Sequence, residues 1–237
     1  PRSHSELRLR EVPWSEAKIS NGLRLMTNHL YDKFGSLVIF SNRTWSEQRC
    51  ETYGAAISEK GSPLPNIVAF VDGTVRRICR PGGDTCQRAM LNGHKRYHAL
   101  TFQSLLAPSG IIGGFSGPHI GSAHDSPALR LSETWGKFLA TVPALFRVYG
   151  DSAYRLGPRL IKAIEGEHHA ALNSAMSSLR QSVEWPFGHM YTLFSSMNHW
   201  HALKLHKSHI GKRFIVVCLL YNCYVSLYGN IVSRYFD

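Results

Sequence analysis

Acidic residues are scarce in this 237-residue chain: 16 Asp and Glu stand against 27 Lys and Arg, a net charge of +11 with the 13 histidines neutral. That balance favours a polyanionic partner, nucleic acid first and an anionic membrane surface second. Cysteine is sparse too. Five cannot all pair, and Cys79 and Cys86, with six residues between them in a basic stretch, do not have a zinc spacing. All five read as thiols in a reducing compartment, which excludes a disulfide scaffold. The longest apolar run, Phe214 to Tyr228, is short for a membrane span and carries Asn222 at its middle, so a buried helix is expected there. No N-terminal signal peptide is visible. No Cys-His or Ser-His-Asp pattern points to a protein nucleophile. His199, His201, His206 and His209 lack the spacing of a metal motif, and most of them are expected at the surface.

What is present centres on Asn66 to Thr74. Ile67, Val68, Phe70 and Val71 form a β-branched and aromatic run between Pro65 and Gly73, the pattern of a short buried strand. The run ends in Asp72. A strand that delivers a carboxylate at its last position, followed by a glycine that lets a ligand approach, is a common way to build a site. Asp72-Gly73 also reads as a plain turn. Before this stretch the chain reads as helical. Leu23, Met26, Leu30, Phe34 and Leu37 recur at three- and four-residue steps as one apolar face, Ser15-Glu16 starts a helix, Ser41-Asn42 breaks it, and Trp45 to Lys60 makes another. Gly61 to Pro65 is a connector. The expected division is a helical extension over residues 1–60, read as a truncated N-terminal region because the chain opens abruptly on Pro1, and a core domain over 61–237.

Beyond the first strand lies a Gly-rich basic loop. From Arg76 to Arg96 there are six Lys or Arg (Arg76, Arg77, Arg80, Arg88, Lys95, Arg96) and one acid, Asp84. Phosphate binding beside Asp72 and a merely solvated loop are both open readings. Tyr97 to Leu106 and Ile111 to Phe115 read as strands joined at Ser109-Gly110, giving an antiparallel meander. Gly117 to Ser126 is a loop, and Asp125 or Ser126 is placed to cap a helix near Pro127 to Leu139. Leu145 to Asp151 is a second strand ending in a carboxylate. Leu156 to Ile164 is a basic helix or loop. Leu172, Met176, Leu179 and Val183 line one face of a helix that ends at Glu184, where Pro186 must start, kink or stop the helix. A last helix runs near Lys212 to Tyr228.

Three strands, a helix, a fourth strand and a later helix, with acids on strands one and four and on that helix, is an α/β arrangement: a ribonuclease-H-like mixed sheet flanked by helices. Parallel strands one and four set Asp72 beside Asp151, and Glu184 leans in from the helix. Three carboxylates so close repel without cations. Hard oxygen ligands suit Mg²⁺ or Mn²⁺, and two such ions ~4 Å apart support in-line displacement at phosphorus. A two-carboxylate glycosidase would need no metal.

The ordered motifs resemble those of the PIF/Harbinger-like group of the DDE superfamily of transposase nucleases. They are Phe70-Val71-Asp72-Gly73-Thr74, Cys79-Arg80-Pro81, Asn92 to Arg96 with Phe102-Gln103, Gly117-Pro118, His124-Asp125-Ser126, Tyr149-Gly150-Asp151 with Tyr154, and Arg180 with Val183-Glu184-Trp185 and Phe187-Gly188. The resemblance implies a metal-dependent endonuclease that cuts DNA and joins strands through the freed 3′-hydroxyl. By motif position the catalytic and metal-binding acids are Asp72, Asp151 and Glu184. Asp125 is a motif residue that can be counted as the second acid instead, with His124 beside it as an auxiliary group. Arg76, Arg77, Arg80, Lys95 and Arg96 are the expected DNA contacts. A separate Myb-like DNA-binding partner and a nuclear location follow from the resemblance, and a second copy of the chain is a further candidate partner. Three departures from the pattern, the short N-terminal region, Pro186 and Ser122-Ala123, fit the alternative of a domesticated copy that binds DNA without cutting it.

Overall fold

The computed structural model describes residues 14–237; residues 1–13, at the head of the expected helical region, and the side chain of Val183 lie outside the described residues. Helix α1, Glu16–Phe34, starts where Ser15 Oγ accepts the backbone N–H of Lys18 at 3.4 Å. Its expected apolar stripe is not buried. Leu23 and Met26 are largely exposed, as is Leu37 just beyond the helix, and α1 itself buries no residue. A short α2, Ser36–Ile39, and a turn at Asn42–Trp45 lead to α3, Glu47–Glu59. This second segment is anchored firmly. Val38, Trp45, Cys50, Tyr53 and Ile57 are buried, and the Trp45 indole donates to the Gly113 carbonyl at 2.9 Å.

The mixed sheet uses β1 (Ile67–Arg77), β3 (Tyr97–Leu106), β4 (Ile112–Ile120), β5 (Arg147–Tyr149) and β6 (Leu160–Ile161) in the order β4-β3-β1-β5-β6, with the two-residue β2 (Leu91–Asn92) on the start of β3. β1, β3 and β4 form the expected antiparallel meander, and β5 runs parallel to β1 with Phe70 opposite Tyr149. Apolar residues alternate between two clusters along each central strand. Phe70, Phe102 and Tyr149 enter one, and Val71, Leu105 and Val148 the other. With both faces covered, these strands read as near-continuous apolar runs.

Helices α7 (Ala170–Arg180), α8 (Glu184–Leu193) and α9 (Ile210–Tyr228) cover the first face, and α6 (Glu133–Thr141) the second. By length and composition alone α9 could cross a membrane, but Phe214, Cys218, Tyr221 and Val225 pack into the core. Phe214 stacks on Phe102 with ring centroids 4.3 Å apart. The polar residue inside α9 has a structural partner: Asn222 accepts the Ile112 N–H at 2.9 Å and donates to the Ile112 carbonyl at 2.8 Å. One side chain thereby satisfies both backbone groups at the head of β4.

Several expected boundaries move. β1 does not end at Asp72 but runs on to Arg77, because its partner β3 continues the ladder past that point. The turn reading of Asp72-Gly73 is therefore excluded. The Gly-rich basic loop contains a helix, α4 (Asp84–Met90), and the third strand extends to Ile120. Two helices, α5 (Asp125–Arg130) and α6, replace the single helix expected after Ser126, and the stretch from Leu156 to Ile164 contributes β6. The chain closes on α10, Ile231–Phe236, capped by Asn230.

Candidate carboxylate site

Asp72 sits in the middle of β1, opposite Ser104, with its side chain only 15% exposed. Asp151 follows the end of β5, two residues beyond the last paired position, and its Oδ1 accepts the Ala153 N–H at 2.9 Å. The parallel β1–β5 pairing thus brings both acids to one end of the strand pair. Glu184 opens α8, is 61% exposed, and comes to the site across the 3₁₀ turn Gln181–Val183 that links α7 to α8. Pro186 does not displace it. Pro186 lies in the first turn of α8, where backbone N–H groups have no partner within the helix, so its missing N–H breaks nothing.

Asp125 is the fourth acid here. It does not cap α5; His124 occupies the N-cap position without a side-chain hydrogen bond, and Ser126 Oγ instead accepts the Arg155 N–H at 3.0 Å. Gln103 Nε2 donates to the Asp125 carbonyl at 2.6 Å, which fixes the segment against β3. A Cβ built on Gly73 would lie 2.9 Å from Asp125 Oδ1. The space that the sequence suggested for a ligand is filled by the Asp125 carboxyl, and Gly73 is what lets it approach.

Between Asp72 on β1 and Glu184 on α8 stands Arg180, the last residue of α7. Its Nη1 lies 3.6 Å from Asp72 Oδ1 and its Nη2 3.6 Å from Glu184 Oε1. Tyr154 is 1% exposed, with a hydroxyl that has no hydrogen-bond partner among the described residues. Gly150 makes room for that ring: a Cβ there would come within 2.8 Å of Tyr154 Cδ2 and 2.9 Å of Val71 Cγ1.

The electrostatics report the crowding. Burial pushes the Asp72 carboxyl up to about 7 against the pull of the Arg180 guanidinium, and Asp151 and Glu184 push it the same way as burial. Asp125 is raised by burial first and by Asp151 second, offset by the Gln103 amide and by His124 and His119. The Tyr154 hydroxyl is driven well up, by burial and then by Asp125, Asp72 and Asp151. All four acids therefore share one field. Among the described residues, however, no three His, Cys, Asp or Glu side chains are gathered tightly enough to hold a metal as they stand.

The donor chemistry nevertheless fits a hard divalent cation. Every acidic ligand is a carboxylate, the shared field is negative, and a cation already stands between Asp72 and Glu184 in the form of Arg180. Tyr154 and Arg180 stood in the sequence only as motif residues. The four-residue spacing of Arg180 and Glu184 was the one local signal of their pairing.

The basic residues divide. Arg77, Arg80, Lys95 and Arg96 are exposed. Arg80 is held by Gln87, whose Oε1 accepts from its Nε at 2.9 Å, and Arg77 lies over the Trp200 ring at 3.7 Å. Arg76 is turned inward, 3.6 Å over the Tyr191 ring, and donates to Asn198 Oδ1 at 3.2 Å. His199, His201, His206 and His209 are exposed, as their spacing suggested.

Searches of curated proteins and of solved structures returned no match. A family model described as DDE superfamily endonuclease matches residues 71–222, more than half of the chain. The matched span opens one residue before Asp72 and includes Asp125, Asp151, Arg180 and Glu184, so the acids gathered in space are also gathered within it. The chain belongs to the DDE superfamily endonucleases, in the Harbinger-type family.

Proposed function

We propose that this chain cleaves DNA strands, and joins them, at the site formed by Asp72, Asp151 and Glu184. The observation that carries this reading is the convergence of strand-borne Asp72, the β5-end Asp151 and the helix-borne Glu184 in one negative field within the matched family span. Bound Mg²⁺ or Mn²⁺, as a pair, would polarise the scissile phosphate and activate the attacking oxygen. Asp72 and Asp151 would hold the ions from the rigid strand wall, with Glu184 closing from α8. Asp125, braced by Gln103, would orient the Asp72 side of the site and serve as an auxiliary ligand, with His124 beside it. The raised carboxyl of Asp72 needs a cation to ionise fully near neutral pH, which couples ligation to charge.

In this reading DNA lies across the exposed cations Arg77, Arg80, Lys95 and Arg96, with Arg76 supporting the aromatic floor beneath them. Binding should weaken linearly with log salt, with a slope of roughly one for each phosphate contact. The reading brings a nuclear location, a Myb-like partner and self-association as further expectations, and it assigns residues 61–237 to the nuclease domain with the preceding helices as its extension. A second reading, a DNA-binding protein that does not cut, draws on one observation: the carboxylates are not gathered around a single point as they stand.

Plasmid nicking in Mg²⁺ or Mn²⁺ separates the two. Asp72→Ala, Asp151→Ala and Glu184→Ala should each lose at least ~10³-fold in rate, and Asp125→Ala roughly ten-fold. Loss with Asp125→Ala but not Asp151→Ala would reassign the second acid. A folded wild type that shifts DNA but nicks nothing in either metal would establish the second reading.

A further inference from the structure

Arg180 joins two walls that the sequence keeps 112 positions apart, counting from Asp72 to Glu184. One nitrogen of its guanidinium faces Asp72 on β1 and another faces Glu184 on α8, both at 3.6 Å. These distances exceed the ~2.7–2.9 Å of a charge-assisted hydrogen bond, so the contacts are electrostatic and loose. The Arg180 side chain is only 22% exposed, which leaves its charge poorly screened by solvent. A divalent ion shared by Asp72 and Glu184 would need the same space and the same two negative charges. A guanidinium and a divalent ion cannot share that space without strong repulsion.

We propose that Arg180 is an internal counter-ion that competes with the metal, and that it must release Glu184 before a divalent ion is held between Asp72 and Glu184. The inference rests on the metal-dependent reading above. The local structure says which arm yields. Asp72 is held in the β1–β3 ladder opposite Ser104 and is largely buried, whereas Glu184 sits at an exposed helix start beside a 3₁₀ turn. Arg180, at the end of α7, has the long side chain needed to swing away while Asp72 stays in place. Arg180 is thus a positioning residue: it neutralises two acids in the metal-free protein and sets how much metal is required to displace it.

The test is Mn²⁺ binding by calorimetry, at pH 9 so that protons do not compete for Asp72, on wild type, Arg180→Gln and Arg180→Lys. Arg180→Gln should bind Mn²⁺ roughly ten-fold or more tighter than wild type, and Arg180→Lys, which keeps the charge, should stay near wild type. Equal or weaker binding by Arg180→Gln, with wild type binding normally, would overturn the competitor role and leave the metal reading intact. Absence of Mn²⁺ binding by every form would overturn both. If Arg180→Gln does not fold, the Arg180 side-chain Nε–H resonance of the wild type decides. It should shift on saturation with Mg²⁺, and an unmoved resonance in a protein that binds Mg²⁺ would overturn the proposal.

Discussion

The two walls of the site are built on different principles. The strand wall carries Asp72 in the middle of an 11-residue strand, laddered to Ser104 of β3 and largely buried. The helix wall carries Glu184 in the first turn of α8, most of its side chain in solvent. Both face the same guanidinium at the same distance, but Asp72 is 15% exposed, with its carboxyl pushed by burial up to about 7, and Glu184 is 61% exposed. The difference is solvation. Water screens Glu184, whereas the sheet removes water from Asp72 and leaves its charge to be balanced by Arg180 or by a bound cation. One wall supplies fixed geometry at an electrostatic cost, and the other supplies adjustment.

Four substitutions probe that contrast. Asp72→Asn should have the largest effect on stability. A carboxyl near 7 in the folded chain and near the ordinary carboxylate value in the unfolded chain keeps its proton longer when folded. The metal-free protein is therefore favoured at low pH and loses stability as pH rises from about 4 through about 7. In EDTA at pH 8, Asp72→Asn should gain ~2–4 kcal/mol in urea unfolding and flatten that pH slope. A destabilised Asp72→Asn would mean that the Arg180 pair outweighs burial.

Gly150→Ala comes next, losing about 2 kcal/mol, because its methyl would meet the Tyr154 ring and Val71 in a packed layer that cannot yield. Gly73→Ala should lose only about 1 kcal/mol, since its neighbour is the tip of the Asp125 side chain, which can rotate aside. If Asp125 supports Asp72, nicking by Gly73→Ala should fall more than its stability does. On the opposite wall, Glu184→Gln should change metal-free stability by no more than ~0.5 kcal/mol at any pH from 5 to 8. A larger change in its thermal midpoint would show that the helix wall is as rigid as the strand wall.

Much of this architecture was legible in the residues. Tyr97 to Leu106 was readable as a strand end to end because Tyr97, Thr101 and Phe102 favour extended backbone and the turn residues Asn92-Gly93 and Ser109-Gly110 bound it. The parallel pairing that brings Asp72 toward Asp151 followed from element order. Other features left little local trace. β6 is two residues long, Leu160–Ile161, inside a basic stretch with Gly and Pro, too short for any periodicity. Helix α4 follows Pro81-Gly82-Gly83, whose breaker signal outweighed the seven helical residues behind it. The apolar stripe of α1 was real as a pattern, but Leu23 and Met26 stayed largely in solvent.

The sequence by itself determined which acids the chain offers, their order, the polyanion-favouring charge and the apolar runs that become a two-faced sheet. These follow from local composition and spacing, which short-range sterics and burial act on directly. Only the tertiary structure decided that Asp125 fills the space at Gly73, that Asn222 satisfies Ile112, and that Arg180 reaches Asp72 and Glu184 together. Each includes a contact between groups far apart in sequence. Its energy depends on desolvation and on a few ångströms of approach, which no local pattern encodes.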